Sequence, residues 1–266
     1  MKPILFPNLG LSLNIDPVAF SIFGKDIYWY GLIITVGIAI ALFLVWKNRE
    51  NQKIKWDDIT DFVLYAIPIG IICARLYYVI FNWDYYGNNL IDIFKIWNGG
   101  LAIYGGIIGG IITAFVFCKR RKISFLDLCD YCAPYLAFCQ SVGRWGNFVN
   151  REAYGQITNS FLKMGIFNEA TKEYIFVQPT FLYESICTFI IFIILLRINK
   201  SKKFSGQSFY IYMILYGIAR ACIEGLRSDS LYIGTIRVSQ ALSLLFSTIF
   251  AIIYILAAKK SKKSVE

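Results

Sequence analysis

Residues 143–155 read Gly-Arg-Trp-Gly-Asn-Phe-Val-Asn-Arg-Glu-Ala-Tyr-Gly. Two arginines, two asparagines, one glutamate and three glycines fall within those thirteen positions, in a chain otherwise built for lipid. Arg144, Asn147, Asn150 and Glu152 cannot lie bare in hydrocarbon. Polar groups at or inside a bilayer cost free energy unless paired or hydrated, so the cluster reads as a functional site. Around it, 57% of the 266 residues are hydrophobic and 17% are charged, and mean hydropathy is +0.55. Soluble domains carry roughly 25% charged residues.

Seven apolar stretches match the roughly 20 residues that a spanning helix needs. They run over about 27–46, 59–81, 99–118, 124–143, 179–197, 207–226 and 236–258. Basic residues gather at alternate ends: Lys47, Arg49, Lys53 and Lys55; Lys119, Arg120, Arg121 and Lys122; Arg197, Lys200, Lys202 and Lys203; Lys259, Lys260, Lys262 and Lys263. These sixteen of the 27 Lys and Arg fall on one side if the N-terminus is outside and the C-terminus cytoplasmic, as the positive-inside rule requires. Trp29, Trp46, Trp56, Trp83, Trp97 and Trp145 lie near span ends, like an aromatic belt. The expected fold is an all-α integral membrane protein with seven transmembrane helices. It forms a single membrane domain over 1–266, with a small extracytoplasmic head over about 147–178. Residues 82–98 mix aromatic and apolar side chains and suit the membrane interface. Pro68 and Pro134 are expected to kink or break their spans. The first 20 residues lack a signal-peptide pattern, so no cleaved leader is expected.

The net charge of +10 is thus largely topogenic, and no nucleic-acid partner is needed to explain it. The chain has no histidine. That excludes Ser-His-Asp chemistry and His-ligated zinc. A general base must be a carboxylate, phenol, amine or thiolate. Cys129-x-x-Cys132 has no second pair and reads as small residues on an apolar helix, so no metal is expected.

Further charges fall where lipid should be. Arg75 lies toward the outer end of the second span and Glu184 in the first turns of the fifth. Arg220, Glu224 and Arg227 share one helix face at i, i+4 and i+7. An Arg220–Glu224 pair that only fixes packing accounts for two of these charges. Arg75, Arg144 and Arg227 add positive charge with few carboxylates to balance it. Arginine's planar fork suits phosphate, so a phospholipid head group is the expected anion. The glycine pairs 99–100, 105–106 and 109–110 around Tyr104 suit close helix packing, or close approach of backbone to a ligand.

The run Gly143-Arg144-x-Gly146-Asn147-Phe148-x-Asn150-x-Glu152-x-x-Gly155 resembles the signature of the bacterial prolipoprotein diacylglyceryl transferases. The likeness covers nearly the whole chain. It includes Trp29-Tyr30-Gly31, Arg75-Leu76-Tyr77-Tyr78-Val79, Gly99 through Gly106, Pro179 through Glu184, and Arg220, Glu224 and Arg227. The resemblance implies a multi-pass enzyme of the bacterial cytoplasmic membrane. Its substrates would be phosphatidylglycerol and a prolipoprotein signal peptide with a lipobox cysteine. The diacylglyceryl group would pass to the cysteine, leaving glycerol 1-phosphate, with no cofactor. Arg144, Arg220, Tyr104 and Glu152 are the candidate catalytic residues. Tyr30, Arg75, Asn147, Asn150, Gly155, Glu224 and Arg227 are the candidate substrate-binding residues. Many members carry histidine at the positions of Tyr104 and Gln178; here a phenol serves, or Tyr104 only orients a ligand. The rival reading, a multi-span anion or lipid transporter, calls for polar residues across both leaflets. Those found here gather toward one.

Overall fold

The computed structural model describes residues 2–49, 54–228 and 232–263, so Lys53 of the first basic cluster lies outside the described residues. Eight α-helices are assigned: α1 (Trp29–Lys47), α2 (Trp56–Phe81), the single turn α3 (Trp83–Tyr86), α4 (Ile103–Arg121), α5 (Phe125–Asn150), α6 (Thr180–Lys200), α7 (Gln207–Glu224) and α8 (Val238–Lys263). A helix of 18–26 residues overlaps each of the seven expected stretches. Five of them, α1, α2, α4, α6 and α8, are long and apolar enough to cross a membrane. α5 and α7 fall short in apolarity because they carry Asp130, Gln140, Arg144, Asn147, Arg220 and Glu224. Asp130, Ser141, Ser208 and Glu224 are buried, so polar atoms on these two helices face protein, as an apolar solvent demands. Pro68 and Pro134 sit inside α2 and α5, which continue past them.

Short strands complete the chain: β1 (Ile4–Phe6), β2 (Leu11–Leu13), β3 (Val18–Ile22), β4 (Lys25–Tyr28), β5 (Met164–Asn168), β6 (Glu173–Val177), β7 (Tyr232–Ile233) and β8 (Ile236–Arg237). β3–β4 and β7–β8 are hairpins, and the remaining four form an antiparallel sheet in the order β2-β1-β5-β6.

The chain divides into two compact units, Met1–Leu44 with Asp130–Glu266, and Val45–Cys129. In the first, the four-stranded sheet buries Ile4, Phe6, Met164, Ile166 and Val177 against Phe148 and Val149 of α5 and Phe181 of α6. The Phe148 and Phe181 rings stack at 4.6 Å between centroids. This apolar core explains why α5 runs to Asn150 instead of stopping near 143: Phe148 and Val149 must stay helical to reach it. Close packing joins α7 to α8 at Gly217, where a Cβ would lie 2.8 Å from the Ser243 carbonyl. The buried Asp130 carboxylate accepts the Gly206 and Phe209 N–H groups at 2.7 and 2.9 Å and pairs with Lys202 at 3.0 Å. An anion from α5 thereby caps the start of α7.

In the second unit, α2 and α4 pack through small residues. A Cβ on Gly105 would meet Tyr77 Cβ at 2.6 Å, and one on Gly109 would meet Cys73 Cβ at 2.8 Å. These two glycines, four residues apart on one face of α4, serve helix contact. Gly110 has open space where its Cβ would be. Arg121 pairs with Asp58 and Asp61 of α2.

Candidate active site

The polar cluster is built at the end of α5. The Arg151 N–H donates to the Phe148 carbonyl at 3.1 Å and the Glu152 N–H to the Asn147 carbonyl at 3.0 Å. That double bond pattern is a Schellman motif, whose left-handed position is usually glycine. Here Arg151 occupies it at φ 55°, and Ala153 follows at φ 56°. Left-handed backbone at a residue with a Cβ costs on the order of 1 kcal/mol. The turn throws Glu152 back over the helix, and its Oε1 accepts the Asn147 side-chain amide at 2.8 Å.

From there a continuous run of side-chain bonds crosses three helices. Arg144 Nη1 donates to Asn147 Oδ1 at 3.1 Å, three residues along the same face of α5. Arg144 Nη2 donates to Glu184 Oε1 on α6. Arg220 Nη1 on α7 donates to Glu184 Oε2 at 3.1 Å, and its Nη2 to Glu224 Oε2 at 2.6 Å. Exposure is graded along this run. The carboxylates of Glu184 and Glu224 are about 3% exposed, whereas the side chains of Arg144 and Arg220 are 22% and 19% exposed. The anions sit behind and the guanidiniums in front.

Three backbone segments frame the cluster. Gly155 donates to the Gln178 carbonyl at 2.9 Å, Gln156 to the Leu226 carbonyl at 2.8 Å, and Gln178 back to Gln156 at 3.0 Å. Gly155 and Arg227 form an antiparallel bridge. A Cβ on Gly155 would lie 2.8 Å from the Leu226 carbonyl oxygen and 2.8 Å from Gln178 Cβ. Glycine is therefore required for these segments to close. Tyr30 lies against α5 at Gly146, where a Cβ would come within 2.5 Å of its ring. Arg237 Nη1 donates to the Glu224 carbonyl, holding the last turn of α7. Asn150 is the final, half-buried residue of α5.

Arg75 and Tyr104 belong to the second unit. Arg75 is buried, and its guanidinium donates to four backbone carbonyls: Ile93 at 2.8 Å, Gly99 at 2.8 Å, Gly100 at 2.9 Å and Asp92 at 2.5 Å. Four of its five donors are thus engaged. Gly100 takes φ 75°, and a Cβ there would come within 2.5 Å of Arg75 Nη1. Beside it, Lys95 and Tyr85 both donate to the Asp92 carboxylate, at 2.6 Å each. The Lys95 bond is the main cause holding the Asp92 carboxyl below its ordinary range, and the Asp92 acceptor raises the Tyr85 phenol above its own. Tyr104 is the second residue of α4, 59% exposed, with its ring 6.3 Å from that of Tyr77.

The sequence model of the family described as "Prolipoprotein diacylglyceryl transferase" matches residues 17–256. The chain belongs to this family. It is 48% identical to the phosphatidylglycerol–prolipoprotein diacylglyceryl transferase of Finegoldia magna, over 94% of this chain and 99% of that protein. It is 44% identical to the protein of the same name from Clostridioides difficile, over 94% and 98%, and 48% identical to that of Listeria welshimeri, over 87% and 86%.

For this diacylglyceryl transferase family member, the structure brings Tyr30, Arg144, Asn147, Glu152, Gly155, Arg220, Glu224 and Arg227 onto one connected framework of the first unit. It also corrects the charge balance expected from sequence. Arg144 and Arg220 are not short of carboxylates, because Glu184 bonds both and Glu224 bonds the second. Glu184 joins the cluster as a member absent from the candidate residues. Its signal was present in the sequence, as an acidic residue in an apolar span, but its partners lie 40 and 36 positions away. Arg75 differs from expectation in the other direction, with its donors turned to backbone.

Proposed function

We propose that this transferase moves the diacylglyceryl group of phosphatidylglycerol onto the lipobox cysteine thiol of a prolipoprotein, the first step of lipoprotein maturation. The observation that carries the mechanism is the front-and-back arrangement of Arg144 and Arg220 before buried Glu184 and Glu224. The cysteine sulfur attacks a glyceryl carbon, the carbon–oxygen bond to phosphate breaks, and glycerol 1-phosphate leaves. Arg144 and Arg220 neutralise the phosphate and the charge that grows on the leaving oxygen. Glu184 and Glu224 aim the two guanidiniums, and Asn147 and Glu152 extend that alignment to the surface. Exposed Glu152 is placed to take the thiol proton. Nearby cations also favour the thiolate, whose ordinary pKa is about 8.5. Tyr30, Asn150 and Arg227 contact the head group, and Gly155 holds their backbone frame. Tyr104, in the second unit, offers an exposed phenol for head-group contact or proton transfer, and Arg75 of α2 braces the loop that precedes it.

The protein is a membrane protein. We place it in the bacterial cytoplasmic membrane as one domain with seven spans, N-terminus outside and C-terminus cytoplasmic, with the active site at the outer leaflet. The family gives no support to a transporter. The test uses purified protein, phosphatidylglycerol vesicles and a lipobox peptide, with mass spectrometry of the peptide. Addition of one diacylglyceryl mass to the cysteine is expected. An unmodified peptide beside a verified folded protein overturns the reading.

A further inference from the structure

The segment joining α2 to α4 is far longer than a turn requires, and its polar and apolar groups are sorted in an unusual way. Its apolar side chains point outward. Trp83, Leu90, Ile91, Phe94 and Trp97 are exposed, Ile91 and Phe94 by 75% and 77%. Its backbone, by contrast, is turned inward and bonded. The N–H groups of Tyr85, Tyr86, Gly87, Asn88, Asn89, Asp92, Lys95, Gly99 and Ala102 all donate to carbonyls of the same unit. Arg75 reaches up from α2 and satisfies the carbonyls of Asp92, Ile93, Gly99 and Gly100. A loop in water has no need of this, because water pairs with its backbone. In a bilayer, unsatisfied backbone groups are strongly unfavourable, so backbone entering it must be paired by protein.

We propose that residues 83–102 form a plate seated in the boundary between lipid head groups and acyl chains, with Arg75 as the latch that makes its backbone compatible with that depth. The occupant of its outer face is the bilayer. The plate's apolar face is continuous with exposed Ile80 and Phe81 at the end of α2 and exposed Ile103 and Ile107 at the start of α4. Both helices are apolar enough to span. Tryptophan and tyrosine, which combine an apolar body with a polar tip, favour this depth. Of its three charged groups, Asp92 and Lys95 bond each other, which lowers the cost of leaving bulk water, and Asp84 lies exposed at the start of the segment, where it can stay hydrated. Because Tyr104 follows within two residues, the plate sets the depth of that phenol. Arg75 is on this account a positioning residue.

The experiment contains no transfer step, so its failure is separate from failure of the proposed function. The whole protein is placed in nanodiscs whose lipids carry bromine at a shallow acyl position, and its emission is compared with that of Trp97→Phe. The Trp97 contribution is expected to be largely lost in brominated lipid and retained in unbrominated lipid. Trypsin cleavage after Lys95 is expected in detergent and suppressed in nanodiscs. In Arg75→Gln, shallow quenching should fall and cleavage in nanodiscs should appear; Ile91→Asp with Phe94→Asp should do the same without touching the latch. Unquenched Trp97 in the wild type overturns the proposal. So does Lys95 protection that depends on a second copy, or that requires added lipobox peptide.

Discussion

Replacing Glu184 by glutamine removes one charge from the centre of the bonded run and leaves its shape. Glu184 accepts from both Arg144 and Arg220 while itself almost wholly buried. Hydrogen bonds to charged groups contribute about 1.5–3 kcal/mol each, so the two together amount to roughly 3–6 kcal/mol. Removing one partner of a buried ion pair costs about 3–5 kcal/mol. The two figures agree. Glutamine keeps one acceptor oxygen but presents an amide N–H to the other guanidinium, so one arginine must swing away. If about 3 kcal/mol of transition-state alignment is lost, kcat/KM falls by roughly 100-fold. Most of the loss should appear in kcat, since charge on the leaving oxygen is greater in the transition state than in the bound substrate. Glu184→Asp, which reaches one arginine more readily than both, should fall between. The assay is initial rate of peptide lipidation in phosphatidylglycerol vesicles, with folding checked by size exclusion and thermal melting. A folded Glu184→Gln protein with near wild-type kcat/KM refutes the argument that this carboxylate aims the two arginines.

Arg220→Ala should cost a factor of about 100 to 1000 in rate, the scale seen when one preorganised oxyanion donor is lost; lipidation kinetics of folded protein measure it. Tyr104→Phe separates the two roles: proton transfer by the phenol would mean a loss on the order of 100-fold, and an unchanged rate removes the phenol from proton transfer. Gly155→Ala should lower thermal stability by about 1–3 kcal/mol through overpacking against the Leu226 carbonyl, read as a drop in melting temperature. The Asp92–Tyr85 bond should hold across a wide pH window. The lowered Asp92 value means its stabilisation is present above the ordinary 3.8 and lost as pH falls through the lower folded value. The raised Tyr85 value means its share is present below 10.0 and lost as pH rises through the higher folded value. Phenolate absorbance of the protein minus that of Tyr85→Phe should therefore rise only above the ordinary phenol midpoint.

The helices were legible because apolar runs of membrane length admit little else. Ends were less so. Phe148 and Val149 extend α5 because they complete a core with Ile4 and Phe6, some 140 residues away, and no local pattern reports that. Strands β1 and β2 have only three residues each, too few for a periodicity to show. Within the site, Arg220 with Glu224 is readable from helical spacing, whereas Arg144 with Asn147 is not, because the expected span stops near 143 and only the observed α5 carries both. The sharing of Glu184 was not, because it depends on how α5, α6 and α7 face one another. Arg75 shows the limit of reading charge by location. An arginine in an apolar helix calls for partners, and carbonyl oxygens answer as well as an anion does.

The alternation of charge along Glu152, Arg144, Glu184, Arg220 and Glu224 bears on what happens after chemistry. Three carboxylates face two guanidiniums in this run. The cations are therefore already matched when no lipid is present. On the proposed mechanism, an arriving phosphodiester would borrow N–H groups of Arg144 and Arg220 without becoming their sole counter-ion. Glycerol 1-phosphate would then form with extra negative charge, and the buried glutamates would repel it and re-pair the arginines. If the mechanism holds, the same pairing that aligns the site would resist retention of its own product and favour exchange for the next lipid.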